Sequence, residues 1–137
     1  MQQSFLTRED FLKIAIQILE ILSEIHKQEI IHQNLTPHSI WIDSTTLQIK
    51  ITDFSLSLFL SEGERMPECS DLLKGYLAYI SPEQTGRMNR LLDYRTDFYS
   101  LGIIFYEILA QKLPFSTKDP LQLIHCHIAK NDIATSS

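Results

Sequence analysis

The stretch that decides how this chain folds is His32-Gln33-Asn34-Leu35-Thr36-Pro37-His38-Ser39-Ile40, followed by Ile51-Thr52-Asp53-Phe54-Ser55. Between the two polar segments lie two β-branched runs, Ile40-Trp41-Ile42 and Leu47-Gln48-Ile49-Lys50-Ile51, with Asp43-Ser44-Thr45-Thr46 as a turn between them. Short apolar runs separated by turn residues are typical of a hairpin. We therefore predict a small β-hairpin near residues 40–53.

Helical periodicity precedes the hairpin. Thr7 stands before Glu9 and Asp10, and a hydroxyl followed by acids in the first turn is a helix-start signal. From Phe11 to Ile25 the apolar residues recur every three or four positions, which places them on one face of a helix. The sequence thus predicts an amphipathic helix near residues 8–27.

A second helix is predicted over residues 94–112, where the chain is apolar almost all round before Pro114 ends the run. A helix of this kind is buried at the centre of its own domain. We therefore expect Ile104, Phe105 and Ile108 to be shielded from solvent.

The remaining segments are a last helix, a tail and a loop. Asp119-Pro120 opens a helix over residues 120–130, because proline is favoured in the first helical turn. Residues 131–137 are polar and are predicted to be a disordered tail. Residues 56–78 lack periodicity and are predicted to be a surface loop.

Four motifs in order carry a family resemblance. The two opening segments resemble the H-R-D-L-x-x-x-N and D-F-G motifs of protein kinases. Tyr79-Ile80-Ser81-Pro82-Glu83 resembles the A-P-E element of that family, and residues 93–102 resemble the start of its central helix. The wording of residues 81–90 and 125–129 is further similar to the Ser/Thr-kinase domain of large bacterial multi-sensor proteins, where it precedes an ATP-binding domain and a sensor histidine kinase. The resemblance covers roughly residues 8–130.

This resemblance implies a mainly α (α+β) fold, a protein-kinase-like C-terminal lobe with a small β-hairpin. Residues 1–130 would form one truncated kinase-like domain, since 137 residues suit one domain and not a whole kinase. The N-terminal lobe is expected to be absent, because the residues before His32 contain no G-x-G-x-x-G, no V-A-I-K lysine and no partner glutamate.

The resemblance also locates the chemistry. Asn34 stands at the position of the catalytic aspartate, and an amide is not a usable base at neutral pH. Ser39 replaces the asparagine that holds a second metal ion, and Asp53 is the one retained metal ligand. Gln33 replaces the arginine that pairs with a phosphorylated loop, and Ser55 replaces a glycine. ATP and Mg²⁺ are implied by the family alone, and neither is expected to bind tightly.

Structural positions of the family are kept. His32 and Phe54 resemble two members of the apolar stack that links kinase lobes, and Asp97 resembles the helix aspartate that ties down the catalytic loop. Glu83 normally pairs with a later arginine, so here it is expected to be unpaired or solvated. Trp41 is expected to be a core tryptophan of the hairpin rather than a platform for a nucleotide.

Composition narrows the setting. A net charge of −5 gives no electrostatic case for nucleic acid or an anionic membrane. Cys69 and Cys126 lack metal spacing and are expected to be reduced thiols of a cytoplasmic protein, and the apolar stretch 101–110 is too short to span a bilayer. Consecutive side chains of His125-Cys126-His127 diverge on a helix, so packing is expected there rather than metal binding.

Three functions stay open. The leading hypothesis is a Ser/Thr protein-kinase-like signalling domain without phosphotransferase activity, either a pseudokinase or a gene remnant with protein partners. A second is an active kinase subunit completed by an N-terminal lobe on another chain. A third is a helical interaction module unrelated to kinases, which requires the motif order to be coincidence.

Overall fold

The computed structural model describes residues 6–54, 57–59, 77–85, 93–115 and 119–136. Helices dominate, with two small antiparallel strand pairs, as predicted for a mainly α (α+β) fold. In chain order the elements are α1 (Arg8–Lys27), β1 (Ile30–Ile31), β2 (Ile40–Ile42), β3 (Ile49–Ile51), β4 (Leu58–Phe59), α2 (Arg95–Ala110) and α3 (Pro120–Ser136). Short 3₁₀ turns occupy Pro37–Ser39 and Pro82–Thr85.

Helix α1 has the predicted bounds and the predicted start. The Thr7 hydroxyl accepts a hydrogen bond from the Asp10 backbone N–H at 3.0 Å, which satisfies one of the free donors of the first turn. The buried face consists of residues at helical spacing, namely Ile14, Ala15, Ile18 and Leu22. This face packs on α2, where the rings of Phe11 and Phe105 meet edge to face at 5.4 Å.

Strands β2 and β3 form the predicted hairpin, with Ile40 opposite Ile51 and Ile42 opposite Ile49. The prediction that Trp41 lies in the core is wrong, because its side chain is 64% exposed. The register explains this result: Trp41 pairs with Lys50, and side chains alternate between the two faces of a strand, so both lie on the outer face.

The second strand pair was not predicted. Strands β1 and β4 are antiparallel, with Ile30 opposite Phe59 and Ile31 opposite Leu58. Strand β4 lies inside residues 56–78, which were predicted to be loop throughout, and residues 56 and 60–76 of that segment lie outside the described residues. The pairing of such short strands cannot be read from a sequence, because it depends on a partner distant in the chain.

Helix α2 is buried on one side only. Ile104 is in the core, and Phe105 and Ile108 are partly buried against it, which confirms that these three residues are sheltered. The expectation of burial all round is wrong, since Leu109 is 67% exposed and Phe98 and Tyr106 are also exposed. Apolar composition does not reveal this difference, because it does not say which neighbours cover a face.

Helix α3 begins at the predicted Pro120 and continues to Ser136, so the backbone is helical where a disordered tail from residue 131 was predicted. A second apolar cluster joins Leu123 and Ile124 of α3 to Leu77 and Ile80. Within the described residues, none of the helices combines the length and the apolar character needed to cross a bilayer.

Candidate functional site

The loop that follows β1 is tied to the start of α2 by Asp97. The Asp97 carboxylate is fully buried and accepts hydrogen bonds from the backbone N–H groups of His32, at 2.8 Å, and Gln33, at 2.9 Å. The prediction that Asp97 lies beside this backbone is confirmed. Gln33 has a φ of 68°, a left-handed conformation that a non-glycine residue adopts only when its surroundings hold it there.

His26 completes this anchor and was not predicted. Its Nε2 lies 2.9 Å from the Asp97 carboxylate, although the two residues are 71 positions apart. The sequence does contain a signal for it, because His26 follows Leu22 by four positions and so continues the buried face of α1 with a polar side chain. A polar residue at an apolar position indicates a buried partner.

His32 connects the two loops that carry the motif residues. Its ring lies between the Thr52 carbonyl oxygen, 2.7 Å from Nε2, and the Asn34 backbone N–H, 3.1 Å from Nδ1. A carbonyl oxygen can only accept, so the ring donates from Nε2 and accepts at Nδ1. The ring also packs on Phe54 with centroids 4.7 Å apart, so the structure brings together the pair that the resemblance implied.

Asn34 and Asp53 meet directly. The side-chain Nδ2 of Asn34 donates a hydrogen bond to the Asp53 carboxylate at 2.8 Å. Asp53 has a φ of 61°, again in the left-handed region, and its side chain is exposed while that of Asn34 is half-buried. The two positions at which the resemblance places a catalytic base and a metal ligand therefore hold a neutral donor and its carboxylate acceptor.

Ser39 is turned into the loop. Its hydroxyl donates to the Thr36 carbonyl oxygen at 2.9 Å and accepts from the Thr36 N–H at 3.1 Å, while the Thr36 hydroxyl caps the His38 N–H. The Ser39 side chain is 1% exposed. This capping box satisfies the backbone of a tight turn.

The donors that the resemblance assigns to a metal do not fit one. The Ser39 oxygen is buried within the capping box, and the Asp53 carboxylate faces an amide N–H, which repels a cation. Among the described residues, no cluster of three or more histidine, cysteine, aspartate or glutamate side chains forms an alternative metal site.

Gln84 joins the Ser81-Pro82-Glu83 segment to the same loop. Its Nε2 donates to the Gln33 carbonyl oxygen at 2.9 Å, and its Oε1 accepts from the N–H and hydroxyl of Ser81. Gln84 was not predicted as a site residue, because in the sequence it is simply one more polar side chain. The side-chain Oε1 of Gln33 is buried and has no hydrogen-bond partner among the residues that the structure describes.

Glu83 is buried, with 7% exposure, so of the two expected alternatives, unpaired or solvated, the solvated one is wrong. Its charge acts on two neighbours on α2. Burial, and then the charge of Glu83, raises the pKa of Tyr99 above its ordinary range. The hydrogen bonds and charge of Asp93, with a smaller contribution from Glu83, raise the pKa of the Arg95 guanidinium.

His127 attaches α3 to this assembly. Its buried ring lies between the Leu77 carbonyl oxygen, 2.9 Å from Nε2, and the Tyr99 hydroxyl, 2.8 Å from Nδ1. Burial lowers the pKa of His127, opposed in part by the hydrogen bond to Leu77, and so favours the neutral form of the ring. The packing role predicted for this segment is confirmed for His127, and His125 is exposed.

Comparisons with known proteins agree with the motifs. The family model described as protein kinase domain matches residues 1–136. "Histidine protein kinase 1" of Candida albicans is 33% identical over 133 residues, which is 93% of this chain and 5% of that protein. "Serine/threonine-protein kinase PrkC" of Bacillus subtilis is 31% identical over 120 residues, which is 88% of this chain and 18% of that protein. The chain thus spans less than a fifth of the length of either relative.

Proposed function

Because this chain belongs to the protein kinase domain family, we propose that it is a Ser/Thr-kinase-like signalling domain that does not transfer phosphate by itself and acts through contacts with other proteins. Residues 1–130 represent the C-terminal lobe of the kinase fold in this proposal, in a protein that works in the cytoplasm. The observation that carries the proposal is the hydrogen bond from Asn34 to Asp53.

The Asn34 amide removes the base. In a protein kinase an aspartate at this position accepts the proton of the substrate hydroxyl, and positioned acid–base catalysis contributes roughly 10²–10⁴-fold to a rate. An amide is too weak a base to accept a proton at neutral pH, and here its NH₂ group is already directed at Asp53. A substrate hydroxyl placed beside Asn34 would therefore keep its proton.

The chain also offers few groups that could hold Mg²⁺ or nucleotide. The Ser39 hydroxyl is hydrogen-bonded to the Thr36 backbone, so it offers no oxygen to a second metal ion. The described residues before His32 form α1 and β1, and these 137 residues contain no glycine-rich loop to cover the phosphates. One carboxylate supplies charge but no fixed geometry for a triphosphate. Mg–ATP is accordingly expected to bind weakly.

An exposed apolar surface supports the part of the proposal that concerns protein partners. Helix α1 exposes Leu12, Ile16 and Leu19 at helical spacing, and α2 exposes Phe98 and Leu109. Exposed apolar side chains grouped on one face are typical of interaction surfaces.

The test is a phosphotransfer assay on the purified chain with γ-labelled ATP, Mg²⁺ and a general protein substrate. No transfer is expected near the ~1–100 s⁻¹ of kinases. Asn34→Asp with Ser39→Asn is also expected to be inactive when tested as these 137 residues alone, because they contain no glycine-rich loop to cover the phosphates. Asp53→Ala is the matched control: label that persists in this variant comes from a contaminating kinase. Transfer by the wild-type chain that Asp53→Ala abolishes would refute the proposal.

A second candidate is an active kinase subunit whose N-terminal lobe comes from another chain. The contacts of the motif loops favour this candidate. Asp97 holds the loop after β1, the ring of His32 packs on Phe54 of the loop after β3, and Asp53 is exposed. This second candidate requires an adjacent open reading frame that encodes a nucleotide-binding lobe. Phosphotransfer by the wild-type chain that appears only when that product is added would establish it over the first proposal.

A further inference from the structure

In the contact between Asn34 and Asp53, the amide is the hydrogen-bond donor and the carboxylate is the acceptor. The Asn34 Nδ2 lies 2.8 Å from a carboxylate oxygen of Asp53. Only the NH₂ end of an amide can approach a carboxylate this closely, since the amide oxygen would be repelled. The contact is therefore a hydrogen bond from a neutral donor to an anion, at a site open to water on the Asp53 side.

A carboxylate in place of Asn34 would reverse this situation. Two negative charges at such a separation repel each other unless a cation lies between them. Paired carboxylates are also the ligands that hard divalent cations prefer. The amide removes one charge and supplies a donor to the other, so it performs the structural task of a cation without any ion.

The neighbouring bonds show what this contact holds in place. The Thr52 N–H donates to the Ser39 carbonyl oxygen at 2.8 Å, and His32 donates to the Thr52 carbonyl oxygen at 2.7 Å. These two bonds join the loop before the hairpin to the loop after it. Asp53 follows at once, in a left-handed conformation that needs support from its surroundings. The hydrogen bond from Asn34 supplies that support, at the point where the two joined loops are more exposed to solvent.

We propose that the Asn34 amide replaces a divalent cation as the partner of Asp53 and holds the Asp53 loop in its conformation without metal. The inference rests on the proposed function in taking Asn34 to stand at the position of a kinase catalytic aspartate. It adds to that proposal a positive role, because Asn34 becomes a positioning residue for Asp53. The burial of the Ser39 hydroxyl in the capping box belongs to the same metal-independent arrangement.

The experiment compares the wild-type chain with Asn34→Asp in the absence of nucleotide. Thermal unfolding is measured in EDTA and in millimolar MgCl₂, and Mn²⁺ binding is measured by loss of the electron paramagnetic resonance signal of the free ion. The wild-type chain is expected to unfold at one temperature in both buffers. Asn34→Asp is expected to unfold earlier in EDTA, to recover by several degrees in MgCl₂, and to bind Mn²⁺ roughly tenfold more tightly or better, because ligand charge sets cation affinity.

Two further variants serve as matched controls. Asn34→Asp combined with Asp53→Asn again places one amide opposite one carboxylate, and it is expected to lose the dependence on Mg²⁺. Asn34→Ala removes the donor without adding charge, and it is expected to lower the unfolding temperature equally in both buffers.

Identical unfolding of Asn34→Asp in both buffers, without uptake of Mn²⁺, would overturn the proposal. So would a wild-type chain that MgCl₂ stabilises through Asp53, with the gain lost in Asp53→Asn. If Asn34→Asp folds in neither buffer, the test of the proposal is the unfolding temperature of Asn34→Ala. An Asn34→Ala variant as stable as the wild type would then refute the role of the amide. None of these measurements involves phosphate transfer. Failure of this proposal is therefore distinguishable from failure of the proposed function, which the phosphotransfer assay tests.

Discussion

Replacing Asp97 by alanine is the perturbation that most directly tests how the candidate site is built. The change removes the acceptor of two buried backbone N–H groups, those of His32 and Gln33, and the partner of His26. A buried donor without a partner costs about 1–3 kcal/mol. Two such donors give an expected loss of about 2–6 kcal/mol in the free energy of unfolding, toward the low end if water reaches the space left by the carboxylate.

The assay is chemical denaturation of both proteins, with the free energy of unfolding extrapolated to water. Since domains are stable by only about 5–15 kcal/mol, Asp97→Asn is measured as well, because it retains one acceptor oxygen and is expected to lose less. Glu20→Ala is the control, since it removes an exposed carboxylate from α1 and is expected to change stability by less than about 0.5 kcal/mol. A loss for Asp97→Ala no larger than that of the control would refute the reasoning.

Two further predictions concern stability. Ser39→Ala leaves the buried Thr36 N–H without its acceptor and is expected to lower the free energy of unfolding by about 1–2 kcal/mol. The control is Ser44→Ala in the exposed hairpin turn, which is expected to change the free energy of unfolding little. Equal effects of the two changes would contradict the capping box. Burial lowers the pKa of His127 below its ordinary 6.5, so the unfolded chain takes up the proton first and stability is expected to fall as the pH drops below about 6.5. His127→Gln is expected to flatten this part of the stability–pH curve. An identical curve for His127→Gln and the wild type would count against a lowered pKa of the buried ring.

Local elements were predictable because their signals are local. The steps of three and four in α1 and the β-branched runs of the hairpin reflect backbone geometry that each segment carries by itself. The start of α2 was placed within one residue of Arg95, since apolar runs and prolines punctuate the chain around it. The tie from Asp97 to the loop after β1 was predictable from the motifs, because buried backbone donors in a tight turn require an acceptor.

Other features were beyond the sequence because they depend on which surfaces meet. Trp41 is exposed through the register of β2 on β3, and Leu109 through the absence of a covering neighbour among the described residues. Glu83 is buried, although an acidic residue without an evident partner is usually placed in water. The sequence contains these side chains but not the neighbours that decide their environment.

The chain alone determined that an amide stands at position 34 and a carboxylate at position 53, and an amide is not a usable base at neutral pH. Only the tertiary structure decided that the two side chains bond to each other and that Ser39 turns inward. The physical reason is that Gln33 and Asp53 adopt left-handed conformations, which direct the chain differently from a regular helix or strand. Asp97 accepts a hydrogen bond from Gln33 and Asn34 donates one to Asp53, through contacts between residues that the sequence separates by 64 and 19 positions.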